Sequence, residues 1–353
     1  MGKAISVGDA ARVDTVMSIG LSDVDRKTGA AALTISTKKW SSRSVGINLR
    51  TGELSTFKRR RGAPSADENT LPSPSGRLIA YDRTSEGGGL IIKTAKGRRI
   101  AELGLRRLNH ALNVAWAPDE SGLTYEVFDN DREERSGLYL YSLKMHASKL
   151  IVAGDIGETS WSPDGRFLAC KQVDTSASKR LPESTRYRTG TLMILDPKRG
   201  FKQAFSVGKL VKDFWFSPKG SRVAFIELTR DEFGDYDNTT LRVLDLRTGK
   251  SLDLATNRRE FQVLWAGEGL LAIVAHDKYA VPSLALVSAV SGNRRVLAVH
   301  REFGYITPLA FLPDPQRVVY TAADRSPYEG PVELWAAEPG RKPMRLFPKK
   351  ERR

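Results

Sequence analysis

Apolar and polar residues alternate along this chain in short runs, each ending at a cluster of turn-forming residues. Thr240-Leu241-Arg242-Val243-Leu244-Asp245-Leu246 is one such run, and Gly137-Leu138-Tyr139-Leu140-Tyr141-Ser142-Leu143 is another. Leu192-Met193-Ile194-Leu195-Asp196 shows the same strand order. The longest apolar stretches, such as Gly269 to Ala275, are strand-sized. They fall well short of the roughly 18 apolar residues that a spanning helix needs. No stretch sustains the spacing of an amphipathic helix. The pattern predicts an all-β chain.

One phrase recurs between the runs: an aromatic or small residue, a Ser/Ala-Pro pair, a glycine shortly after, then an apolar strand. It reads Pro72-Ser73-Pro74-Ser75-Gly76, then Trp116-Ala117-Pro118 ending on Gly122, then Trp161-Ser162-Pro163-Asp164-Gly165 and Phe216-Ser217-Pro218-Lys219-Gly220. Degenerate copies stand at Leu264–Ile273 and Phe311–Tyr320, and a weak one opens the chain at Gly20-Leu21-Ser22-Asp23. Proline pre-sets φ for a type I turn, and glycine supplies the left-handed residue that closes a hairpin with a bulge. Each phrase therefore joins the first two strands of a unit. Arg247-Thr248-Gly249-Lys250 turns the third strand of one unit into its fourth, Ser251 to Ala255.

Pro74, Pro118, Pro163, Pro218 and Pro313 recur at steps of 44, 45, 55 and 95, and the last step divides near Trp265. Units of ~40–50 residues are the length of a propeller blade. The expected fold is a seven-bladed β-propeller of four-stranded antiparallel blades in one domain. The blades fall near 13–58, 66–104, 109–153, 155–206, 208–256, 259–300 and 304–348. The units begin and end in phase, so the array can close by packing alone. Six blades plus an aberrant first unit is the alternative.

The aromatic-Ser-Pro-Asp-Gly phrase followed by an apolar strand resembles the propeller repeats of TolB-type proteins. It is also similar to the N-terminal propellers of prolyl-oligopeptidase-type serine peptidases. The resemblance spans about Val13 to Phe347. In the peptidases a hydrolase domain with a Gly-x-Ser-x-Gly elbow follows the propeller. No such pentapeptide occurs here, and no catalytic residue carries over. TolB-like members act as protein-binding platforms, so the resemblance implies a binding role.

Charge and composition narrow the compartment and the partners. The formal charge is +15 over 353 residues, which favours anionic surfaces and says nothing about fold. Cys170 is the only cysteine, so no internal disulfide forms. No apolar segment precedes Asp9 and Arg12. These features predict a cytoplasmic protein without membrane insertion, with a processed exported form as the alternative. Basic clusters recur at Lys58-Arg59-Arg60-Arg61, Arg98-Arg99, Arg106-Arg107, Arg258-Arg259 and Arg294-Arg295, mostly on or just after fourth strands. They either meet a polyanion such as nucleic acid or simply guard exposed sheet edges against aggregation.

The polar loops between second and third strands, over a rigid scaffold, are the natural place for recognition. Arg59, Arg60, Arg61, Arg106, Arg107, Asp231, Asp235, Tyr236 and Tyr328 are the candidate binding residues. Asp231 to Asn238 is rich in carboxylates but lacks the regular spacing of a calcium loop. His110, His276 and His300 fall on loops of one face and are candidates for a divalent metal, although no ligand spacing supports one and no cofactor is favoured. The expected function is a non-catalytic scaffold that offers its loops and basic rim to a protein or polyanionic partner. The alternatives are a propeller lyase or hydrolase, and a regulatory propeller beside a separate peptidase.

Overall fold

The computed structural model describes residues 16–22, 24–37, 42–55, 70–82, 89–103, 110–128, 136–173, 189–229, 238–259, 261–324 and 332–348. Among them are 27 strands, assembled into six antiparallel sheets. The first sheet is β1 (Val16–Ser22), β2 (Ala30–Thr37), β3 (Ser42–Asn48) and β4 (Leu54–Ser55). The second is β5 (Thr70–Pro72), β6 (Leu78–Asp82), β7 (Leu90–Thr94) and β8 (Arg99–Leu103). The third is β9 (His110–Trp116), β10 (Gly122–Phe128), β11 (Gly137–Ser142) and β12 (Ala147–Ala153).

A seven-stranded sheet follows, in the order β13 (Ile156–Trp161), β14 (Leu168–Gln172), β15 (Gly190–Asp196), β16 (Lys202–Phe216), β17 (Arg222–Thr229), β18 (Asn238–Asp245) and β19 (Ser251–Asn257). The last two sheets are β20 (Gln262–Gly267), β21 (Leu270–His276), β22 (Pro282–Ser288) and β23 (Arg294–Val299), then β24 (Tyr305–Pro313), β25 (Gln316–Ala323), β26 (Val332–Ala337) and β27 (Met344–Phe347). In every sheet, strands adjacent in sequence are adjacent in space. No helix among the described residues is long and apolar enough to cross a membrane.

The repeated turns lie where the sequence puts them. Gly76, Gly165 and Gly220 all adopt positive φ, near 70°, where a side chain would be strained. The Trp116 copy differs. Its left-handed residue is Glu120, at φ 58°, and Gly122 instead opens β10. Glu120 repays that strain through its carboxylate, which accepts the Ser75 N–H at 2.6 Å and Arg77 Nη2 at 3.1 Å. Hydrogen bonds from the Ser75 side chain and backbone N–H pull the Glu120 carboxyl down from 4.5 to about 2.

β16 is the exception to the four-strand pattern. Its first half pairs with β15 from Lys202 to Val207, and its second half pairs with β17 from Val211 to Phe216. Gly208, at φ 61°, stands between the halves, and a Cβ there would lie 2.7 Å from Glu227 Oε1. One long strand thus joins β13–β15 to β17–β19 in a single sheet.

The chain divides into two compact units. The first comprises Met1–Arg60, Asn238–Leu241 and Leu252–Arg353. Within it the first and last sheets share a core in which Leu33, Ile35 and Ile47 meet Leu312, Val319, Leu334 and Phe347. The other face of the last sheet, with Phe311, Val318 and Tyr320, packs on Ala272, Val274, Leu284 and Leu286 of the β20–β23 sheet. Alternation along β25 sends Val318 and Tyr320 one way and Val319 the other. Each fully buried Leu, Ile or Phe contributes roughly 1.5–3 kcal/mol.

A polar clamp reinforces the first of these contacts. Arg317 donates to the carbonyls of Leu49 at 2.9 Å and Arg50 at 2.6 Å, and it pairs with the buried Glu338. Residues at opposite ends of the sequence are tied by one guanidinium.

The second unit comprises Arg61–Asp237 and Arg242–Ser251. Ala80 and Ile92 pack on Trp116, Leu123, Tyr125 and Tyr141, joining the second sheet to the third. Trp116 also donates its indole N–H to Leu71 O at 3.0 Å. Leu138 packs on Ile156, Leu168 and Cys170, joining the third sheet to the next. Burial pushes the Cys170 thiol up to about 12.

Arg317→Ala removes the buried one of the two arginines that pair with Glu338 and the donor to the Leu49 and Arg50 carbonyls, so it is expected to destabilise the chain by about 3–5 kcal/mol. Arg341→Ala removes a largely exposed partner of the same carboxylate and should cost under about 1 kcal/mol. Urea unfolding of both variants checks this; equal losses would contradict the clamp.

Candidate functional site

Arg59, Arg60, Arg61, Arg106, Arg107, Asp231, Asp235, Tyr236 and Tyr328 lie outside the described residues. The basic pairs that are described, Arg98-Arg99, Arg258-Arg259 and Arg294-Arg295, are all exposed. They stand at the start of β8, just after β19 and at the start of β23, the fourth strands of their sets. Among the described residues no three His, Cys, Asp or Glu side chains converge as a metal site. His110 opens β9 in the second unit, and His276 ends β21 in the first. Burial pushes the His276 imidazole below its ordinary value.

His300 follows β23 and is 4% exposed. Its Nε2 lies 2.7 Å from the Tyr320 hydroxyl, and its Nδ1 lies 3.1 Å from Glu302 Oε1. Phe303, Tyr320 and Trp335 surround the ring at centroid distances of 5.2, 5.7 and 5.2 Å. The phenol of Tyr320 is raised by burial first and by the Glu302 charge second, so it stays protonated. The tautomer that satisfies both contacts accepts from Tyr320 and donates to Glu302. That hydrogen bond lowers the Glu302 carboxyl below its ordinary value.

Glu302 and Phe303 form part of a cavity of about 680 Å³, which Thr51, Glu333, Trp335, Met344 and Arg345 complete. Glu333 and Trp335 are two apart on β26, so they share a face. The Trp335 indole donates to Glu333 Oε2 at 3.0 Å, and Arg345 from β27 pairs with the other oxygen. Trp335 and Phe303 meet nearly at right angles, with centroids 6.1 Å apart. The cavity therefore offers two aromatic walls and two carboxylates whose orientations are fixed. Reading the sequence did not find it. The signal was present in Val332-Glu333-Leu334-Trp335, where Leu334 is buried in the core and Glu333 and Trp335 face the other way.

A second polar group runs through the second unit at its first-strand bulges. Register shifts place an extra residue at Asn113 in β9, Gly157 in β13 and Lys212 in β16. Asn113 takes a φ of 56°, which asparagine tolerates better than most residues. Its amide donates to Glu126 Oε2 at 2.6 Å and to Gly157 O at 3.2 Å, and its own carbonyl accepts from Thr159 at 3.2 Å. Lys171, 5% exposed, donates to Lys212 O and reaches Glu158 Oε2 at 3.4 Å. The bulges carry polar links from one first strand to its neighbour. Their role is structural.

Glu126 is 4% exposed. Desolvation, with the charge of Asp155 adding to it and the Asn113 amide opposing it, raises its carboxyl from 4.5 to about 7. The folded state thus holds this proton more tightly than the unfolded chain. The stabilisation is complete below about pH 4.5 and is lost as pH rises through about 7. Glu126→Gln keeps a neutral side chain at all pH values. Its stability relative to wild type should rise between pH 5 and 8, by on the order of 2–3 kcal/mol. Urea midpoints across that range test this, and parallel pH profiles for the two proteins would contradict it.

No protein-family model matches the sequence, and no curated protein does. Among solved structures the chain is similar to an oligogalacturonate lyase in complex with manganese, at 12% identity, covering 89% of this chain and 87% of that one with a TM-score of 0.55. It is similar to the oligogalacturonate lyase of Vibrio parahaemolyticus at 12% identity, covering 92% and 91% with a TM-score of 0.56. TolB from Acinetobacter baumannii matches at 15% identity over 78% of this chain and 62% of that one, with a TM-score of 0.40. At such identities the likeness concerns the fold alone. With the consecutive antiparallel sheets, it assigns this chain the β-propeller fold.

Proposed function

We propose that the chain is a non-catalytic, seven-bladed propeller that serves as a binding scaffold for a protein partner. Seven blades follow if the seven-stranded sheet counts as two, with β16 serving as the fourth strand of one and the first of the next.

The cavity around Trp335 carries the functional reading. It is of the size that ligand sites favour, about 300–1,000 Å³. Its lining combines tryptophan and arginine, the side chains that dominate protein interfaces energetically. Glu302 and Glu333 are held by hydrogen bonds before anything binds, so little ordering cost remains for the complex. The exposed pairs Arg258-Arg259 and Arg294-Arg295 favour a partner that also carries acidic surface.

A metal-dependent lyase on His110, His276 and His300 is the competing reading, supported by the likeness in fold to an oligogalacturonate lyase in complex with manganese. It would require His300 to give up Tyr320 or Glu302, since both ring nitrogens are engaged. That observation favours the scaffold.

Affinity capture from the native host should recover a partner with the wild-type chain and about tenfold less with Trp335→Ala. Equal recovery by the variant would contradict the assignment of this cavity. Stoichiometric metal in the purified protein would move the balance to the lyase.

A further inference from the structure

The Trp335 cavity is acidic in a chain of formal charge +15. Its Arg345 is already committed to Glu333, whereas among the described residues the side chain that pairs with Glu302 is the His300 imidazole. Glu302 is 62% exposed in its side chain and anionic, since the His300 hydrogen bond favours the charged form. Tyr320 orients His300, and His300 orients Glu302. A buried relay thus holds one carboxylate at the edge of two aromatic rings.

We infer that this cavity receives the guanidinium of an arginine side chain presented by the protein partner. The inference rests on the scaffold reading and names the chemistry of the same site. A planar, weakly hydrated guanidinium can stack on an indole or phenyl face while its edge forms paired hydrogen bonds with a carboxylate. An ammonium is compact and strongly hydrated, and it uses such a corner less well. A hard divalent cation finds no ligands in Phe303, Trp335 or Met344, and among the described residues no three His, Cys, Asp or Glu side chains converge to hold one. The volume, about 680 Å³, exceeds what a guanidinium needs and leaves room for the segment that carries it.

The test uses the full chain labelled with ¹⁵N and N-acetyl-arginine-methylamide as the probe. The Trp335 indole N–H resonance is assigned by its loss in Trp335→Phe. The probe should move that resonance saturably. The citrulline analogue, of the same shape but uncharged, should bind at least about fivefold more weakly. Glu302→Gln should weaken the arginine probe by a similar factor, with the unliganded Trp335 resonance in place as the check that the site is intact.

No saturable shift, or equal binding of the arginine and citrulline probes, would overturn the proposal. If partner capture depends on Trp335 while the arginine probe fails, the arginine assignment falls and the scaffold reading stands. If the probe binds and no partner is captured, the chemistry of the cavity stands and the scaffold reading loses its support.

Discussion

Strands that are apolar on both faces force sheets to be covered on both faces, and the rest of this structure follows from that requirement. The sheet β24–β27 shows it most plainly. Leu312, Val319 and Leu334 point to the first sheet, while Phe311, Val318 and Tyr320 point to the sheet before. A single four-stranded sheet of this composition would leave one apolar face in water, so no unit is stable alone. The chain meets the requirement by bringing its first sheet against its last. Among the described residues no strand is exchanged between these two sheets, and packing and the Arg317 clamp join them. Several leucine-sized contacts outweigh one buried ion pair, so the clamp sets alignment more than it sets stability.

Polar chemistry is confined to places where this packing is interrupted. First-strand bulges expose backbone carbonyls that Asn113 and Lys171 satisfy, at the expense of a desolvated carboxyl at Glu126. Past the end of β23 the chain turns through His300, Glu302 and Phe303 into the next sheet, and there the polar groups meet an aromatic surface. The contrast separates the two groups by role. The Glu126 carboxyl is buried and bonded to Asn113, whereas Glu302 reaches the cavity with its carboxylate exposed. A rigid frame that presents one fixed, charged and aromatic cavity is suited to recognition.

The fold was legible because its signals are local. Pro163-Asp164-Gly165 and Pro218-Lys219-Gly220 encode their turns in three residues, and alternation encodes the strands on either side. Where a tertiary contact substitutes for a local preference, legibility ends. Glu120 adopts the left-handed position that glycine was expected to hold, because Ser75 and Arg77 from the neighbouring sheet stabilise it. β16 runs on through Gly208 where two strands were expected, since each half finds a different partner. The cavity was illegible for the same reason. Phe303 comes from a connection, Trp335 from a third strand, Arg345 from a fourth and Thr51 from the first sheet's turn. Only the folded chain places them together. Asp235 and Tyr328, which the sequence offers as candidates from polar loops, lie outside the described residues.

Hydrogen exchange on a Leu334→Ala variant tests the two-faced packing most directly. Leu334 is fully buried in the last sheet, against the core of the first. If the two sheets stabilise each other across that face, amides of β2 and β3 should lose protection in the variant, although they stand far away in sequence. Unchanged protection in β2 and β3, with loss restricted to β24–β27, would contradict the account.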